Sequence, residues 1–151
     1  MQQLIYSMQF KGRAAPVEGS SGVLQASTRA PSCTITSLVG PEGLAGAIDP
    51  AAGGVVEFES EVTFSGESAF LESGTISFGD NGHRLRFSTV GQGYLGPSPD
   101  AGVQHGAVTW RIDAGEGQFA GAHGLITSNF LVGPNGEVTD HHLGVIYLED
   151  V

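Results

Sequence analysis

Apolar and polar residues alternate along most of this chain with a period of two. LIYSMQF sets Leu4, Tyr6, Met8 and Phe10 against Ile5, Ser7 and Gln9. VVEFESEVTF sets Val56, Phe58, Val62 and Phe64 against Glu57, Glu59, Glu61 and Thr63, and VTWRID sets Val108, Trp110 and Ile112 against Thr109, Arg111 and Asp113. This is the signature of half-buried antiparallel strands. It predicts eight or nine of them, at 3–11, 22–29, 32–39, 55–64, 69–78, 83–91, 104–113, 121–132 and 137–148. Turn-forming clusters such as PVEGSSG, DPAAGG, GDNG and GPNG separate the runs. No helix of three turns is expected; PEGLAGAIDPAA has room for one short turn, and 40–54 and 95–103 are the least regular segments. The expectation is one all-β domain over residues 1–151, a single antiparallel β-barrel of about eight strands. Closure removes the exposed strand edges that so β-rich a chain must otherwise protect.

Glycine is abundant, at 24 residues, and opposes long helices. The densest stretch, GEGQFAGAHG at 115–124, fits the loose form G-x-G-x-x-A of a dinucleotide-binding fingerprint. That motif needs a helix after it, whose N-terminus holds the pyrophosphate. The next segment here is AHGLITSNFLV, spaced as a strand, so the glycines read as a hairpin turn and a strand thinned by small side chains. With Gly115, Gly117, Phe119, Gly121, Ala122 and Gly124 in place, and DHHLGVIYL as a closing strand, the segment resembles the allene oxide cyclase-like and dirigent-like β-barrels. The resemblance covers about the last 70 residues of the chain. It implies a barrel, a homo-oligomer (dimer or trimer), and a cyclase or isomerase acting on a hydrophobic small molecule without a cofactor.

Reading GPNG as a turn with Val132 opposite Glu137 places Ser128 against His141 and Gly124 against Val145. One face of the last hairpin then carries Ser128, Phe130, His141, Leu143, Val145 and Tyr147, with Trp110 joining it from the preceding strand. The other carries His105, His123, Asp140 and His142. The apolar face is the expected interior. Within it, His141 with Ser128 beside it is the candidate acid/base pair, because burial moves an imidazole pKa through neutrality. Tyr6, Trp110, Tyr147, Ala122, Gly124 and Phe130 are the candidate substrate-binding residues, with Tyr94 in the loop GQGYLGPSPDAG as part of a lid. A buried histidine satisfied by Ser128 or a carbonyl is the plainer alternative. Glu57, Glu59, Glu61 and Glu72, with Arg84 and Arg86, read as a charged outer surface or as a cluster at a barrel mouth.

A net charge of −10 with six Lys and Arg argues against nucleic acid or an anionic membrane as partner. No apolar run reaches the roughly 20 residues of a membrane span. A single Cys33 and an N-terminus without signal-peptide character point to the cytoplasm. No spacing calls for a metal or cofactor. Three functions remain open: a small-molecule barrel enzyme, a non-catalytic carrier of an apolar ligand, and a structural or interaction protein with a filled barrel.

Overall fold

A computed structural model describes residues 1–150. The alternating runs become nine strands: β1 (Gln2–Pro16), β2 (Val23–Gly40), β3 (Gly43–Phe64), β4 (Ala69–Phe78), β5 (Arg84–Thr89), β6 (Gly93–Pro97), β7 (Gln104–Glu116), β8 (His123–Val132) and β9 (Glu137–Leu148). All pairings are antiparallel, and β1, β2, β3, β4, β5, β7, β8 and β9 close into a ring of eight when β9 returns to β1. β6 continues the path of β5 after a break at Val90–Gln92, bridging the ends of β4 and β7.

The inward rows make the core. Phe58 sits at its centre, 5.4 Å from both the Phe87 and Trp110 rings and 6.2 Å from Phe10, with Ile76, Leu85, Ile126 and Ile146 fully buried around them. Each such side chain stabilises the fold by roughly 1.5–3 kcal/mol on burial. Glu57, Glu59, Arg84 and Arg86 point outward, as alternation demands. The Arg29–Glu57 pair at 3.6 Å is well exposed and adds little.

The expected strands at 22–29 and 32–39 are one strand, β2, with a register shift at Pro31–Cys33. Proline has no N–H for the ladder, so the sheet breaks there. Beyond the break, β2 and β3 leave the ring as a two-stranded arm paired from Cys33–Pro50 to Gly40–Gly43. Residues 40–54, expected to be irregular, therefore lie almost wholly in strand. One arm face carries the cross-strand pairs Ile35–Ile48 and Val39–Leu44, and Val39 and Leu44 are 79% and 74% exposed.

The last hairpin departs from expectation by one residue. Gly133 joins the ladder opposite Glu137, leaving the three-residue loop Pro134–Gly136 with Gly136 at φ +81°, and Val132 faces Val138. Three-residue hairpins ending in a left-handed glycine are a common solution. The slip turns β9 over. Asp140, His142, Gly144, Ile146 and Leu148 face inward, while His141, Leu143, Val145 and Tyr147 face outward. Outside, Ile5, Val145 and Leu125 align across β1, β9 and β8.

One end of the ring is stoppered. Tyr6 meets Phe78 edge-on at 5.5 Å, and Phe78 meets Phe119 at 4.9 Å. A Cβ on Gly144 would lie 2.2 Å from the Tyr6 ring, so glycine there is what lets the ring lie against β9. Phe119 comes from the turn after GEG, a single 3-10 turn at Gly117–Phe119. A strand comes next, so the glycine motif makes a stopper and offers no helix terminus to an anion.

Candidate active site

A small set of polar residues occupies inward positions. Glu72 stands between Phe70 and Gly74 in the inward row of β4, directly across from Val62 of β3. Both carboxylate oxygens are held: Ser60 Oγ donates to Oε2 at 2.6 Å and Trp110 Nε1 donates to Oε1 at 3.2 Å. On the other side of the ring, Asp140 of β9 accepts from Ser128 Oγ at 2.6 Å and from His142 Nε2 at 3.0 Å. His142 is fully buried, stacked on Phe10 at 4.0 Å and edge-on to Trp110 at 5.0 Å. With Nε2 donating to Asp140, its Nδ1 is left without a partner. The Thr28 hydroxyl and the Tyr6 hydroxyl are also buried and unpartnered.

Thr28, Glu72, Ser128 and Asp140 form the polar floor of a cavity of about 60 Å³. A single water needs roughly 10–15 Å³ on this scale, so there is room for several heavy atoms. The walls are apolar, among them Leu24, Val62, Phe64, Leu95, Phe130 and Val138. They belong to the strand ends opposite the Tyr6–Phe78–Phe119 stopper, and most are half-buried.

Desolvation pushes the Glu72 carboxyl up from 4.5 to about 7; the Ser60 hydrogen bond opposes this, the charge of Asp140 adds to it, and the Trp110 hydrogen bond opposes it again. Burial, helped by the Asp140 charge, also pushes the Tyr6 hydroxyl up. At neutral pH the floor thus pairs a carboxyl poised between its two forms with a second carboxyl that takes two hydrogen bonds. Ser128, Asp140 and His142 do not form a nucleophilic triad. The serine is bonded to the aspartate, and the Nε2 that a triad would need as proton acceptor is bonded to the aspartate as well.

The candidates from sequence divide accordingly. Ser128 and Phe130 line the cavity, and Trp110 lies beneath it holding Glu72. His141 faces out, bonded to Gln9 at 3.0 Å and near the Asn129 carbonyl at 3.3 Å. The acid/base role assigned to it has no access to the interior. Tyr147, 39% exposed, and Tyr94, 51% exposed, are likewise outside; the inward residue of the Tyr94 segment is Leu95. Tyr6, Ala122 and Gly124 face inward but lie toward the stoppered end. A Cβ on Gly124 would meet the Val145 carbonyl at 2.2 Å, so this glycine permits close strand approach and opens no cavity. His142 and Asp140, expected on the outer face, are inside because of the register slip in the last hairpin. Glu72, expected among outward glutamates, is inside because its strand alternates Phe70, Glu72, Gly74, Ile76. That signal was present in the sequence: Glu72 occupies an apolar slot of its own strand. No helix among the described residues is long and apolar enough to cross a membrane.

No protein-family model matches the chain, and searches of curated proteins and of solved structures likewise return no match.

Proposed function

We propose that this chain is a small-molecule barrel enzyme of the allene oxide cyclase-like or dirigent-like kind. In this reading it is a cofactor-independent isomerase or cyclase, working as a cytoplasmic homo-oligomer, that moves a proton within a hydrophobic substrate. The supporting observation is the pair Glu72 and Asp140 on the floor of an otherwise apolar cavity. General acid/base catalysis is most effective when the group titrates near the working pH, and the Glu72 carboxyl does so at about 7. The walls supply orientation and exclude water. Ser128 and His142 fix Asp140, and Trp110 and Ser60 fix Glu72, so both carboxyls are preorganised.

The second reading, a carrier of an apolar ligand, is favoured by the walls alone. It gives no use to a desolvated carboxyl, which weakens the fold above its pKa. Native mass spectrometry of protein taken fresh from cells tests both. A retained hydrophobic molecule that wild type converts, and that an Asp140→Asn variant retains unchanged, is the expected result. A molecule that wild type also leaves unchanged supports the carrier. A protein that carries no molecule and binds no apolar probe would refute both.

A further inference from the structure

We infer that the cavity takes a small enolisable ketone, whose oxygen is held by Thr28 and Glu72 and whose α-proton is taken by Asp140. This rests on the acid/base reading above and names its substrate class. Thr28 is 2% exposed, it lines the cavity floor, and its hydroxyl has no partner. A buried hydroxyl left unpaired costs free energy that a ligand atom can recover. Thr28 shares the floor with Glu72 and Asp140.

The two carboxyls are given different roles by their partners and position. Desolvation keeps a large share of Glu72 in the neutral form near pH 7, and that form donates a hydrogen bond. Asp140 accepts from Ser128 and His142, which fix its carboxyl on the cavity floor. A neutral acid and an unpaired hydroxyl offer two donors to one acceptor oxygen. The carboxyl of Asp140, facing them across the same cavity, is the group placed to take a proton. The apolar walls offer nothing polar to the rest of the molecule. A ligand with one carbonyl oxygen and a hydrocarbon body matches this set; a phosphate or carboxylate would face like charge.

The chemistry balances without a co-reactant. Asp140 removes a proton from the carbon next to the carbonyl, and the C–H electron pair moves into the new carbon–carbon double bond. The carbonyl oxygen gains the charge, met by the Glu72 and Thr28 hydrogens. In a β,γ-unsaturated ketone the same proton returns from Asp140 to the γ-carbon, giving the conjugated isomer. In a saturated ketone it returns to the α-carbon, visible only as exchange with solvent.

The test uses 3-cyclopenten-1-one, followed to 2-cyclopenten-1-one by ultraviolet absorbance, and butanone in D2O, followed by proton NMR. Binding is read separately from fluorescence of Trp110, the chain's single tryptophan, with cyclopentene as the oxygen-free control. Wild type is expected to bind the ketone more tightly than cyclopentene and to accelerate both reactions. Asp140→Asn should lower turnover by about 100-fold or more while keeping binding. Thr28→Val should reduce the preference for ketone over cyclopentene, leaving the part that Glu72 supplies. Ketone that binds but undergoes neither isomerisation nor exchange would overturn this inference and leave an acid/base site for another substrate class. Equal binding of ketone and cyclopentene would overturn the role of Thr28 and Glu72. Failure of every apolar probe to bind would remove the site reading itself. Circular dichroism of each variant separates loss of the site from loss of the fold.

Discussion

At the scale of single residues, Glu72 has the clearest consequences. Its folded pKa of about 7 lies above the ordinary 4.5, so the folded chain holds this proton more tightly than the unfolded one. Between these values the folded state binds more protons, and stability from this group declines as pH rises. At roughly 1.4 kcal/mol per unit, the decline is on the order of 3 kcal/mol and is complete just above pH 7. Urea denaturation at pH 5 and pH 8 should show it, and Glu72→Gln should flatten the difference by raising stability at pH 8. An unchanged pH slope in the variant would rule this out. His142 and His141 form a matched pair, adjacent in sequence and opposite in placement. His142→Ala removes a fully buried ring stacked on Phe10 and one of the two donors to Asp140, and should cost about 2–4 kcal/mol. His141→Ala, at the surface, should stay within about 0.5 kcal/mol in the same denaturation assay. Tyr6→Phe deletes a buried hydroxyl that has no partner, so its thermal midpoint should match or exceed wild type.

At the scale of elements, alternation carried the strands, and the reasons it misplaced parts of the site are physical. β7 and β8 kept the expected faces because Val108, Trp110, Ile112 and Ile126 all need burial. β9 offers two candidate inner rows. His141, Leu143, Val145 and Tyr147 look the more apolar, yet they lie outside among Ile5 and Leu125, while the true inner row includes Asp140 and His142. Hydropathy alone favours the wrong row; the deciding fact is that Gly133 enters the ladder. The arm was hidden for a different reason. Its second strand begins GLAGAIDPAAGG, where glycines, alanines and Pro50 weaken the strand signal and only Leu44 and Ile48 support it. Pairing with the β-branched TIT of β2 is what orders it. Two strands without a covering layer are marginal. Hydrogen exchange should therefore find the arm amides at 33–50 far less protected than those of β7, β8 and β9. Equal protection would mean that another surface covers the arm in solution.

At the scale of the whole molecule, the ring combines long-range closure with a strongly negative surface. The charge of −10 opposes compaction, and salt screens it. The thermal midpoint should rise between about 10 and 150 mM salt, over which the screening length falls from roughly 30 to 8 Å. Differential scanning calorimetry would measure it, and a flat response would show the outward Arg84, Arg86 and Arg29 to balance their acidic neighbours already. The ring is also unequal at its two ends. The Tyr6–Phe78–Phe119 stopper seals one, and the cavity reaches the other. A pouch with a single doorway imposes an order of traffic: a molecule that enters must leave by the way it came, and nothing new enters until it has gone. If the proposed isomerase reading holds, product and substrate exclude each other there, and the product of one turnover is a competitive inhibitor of the next.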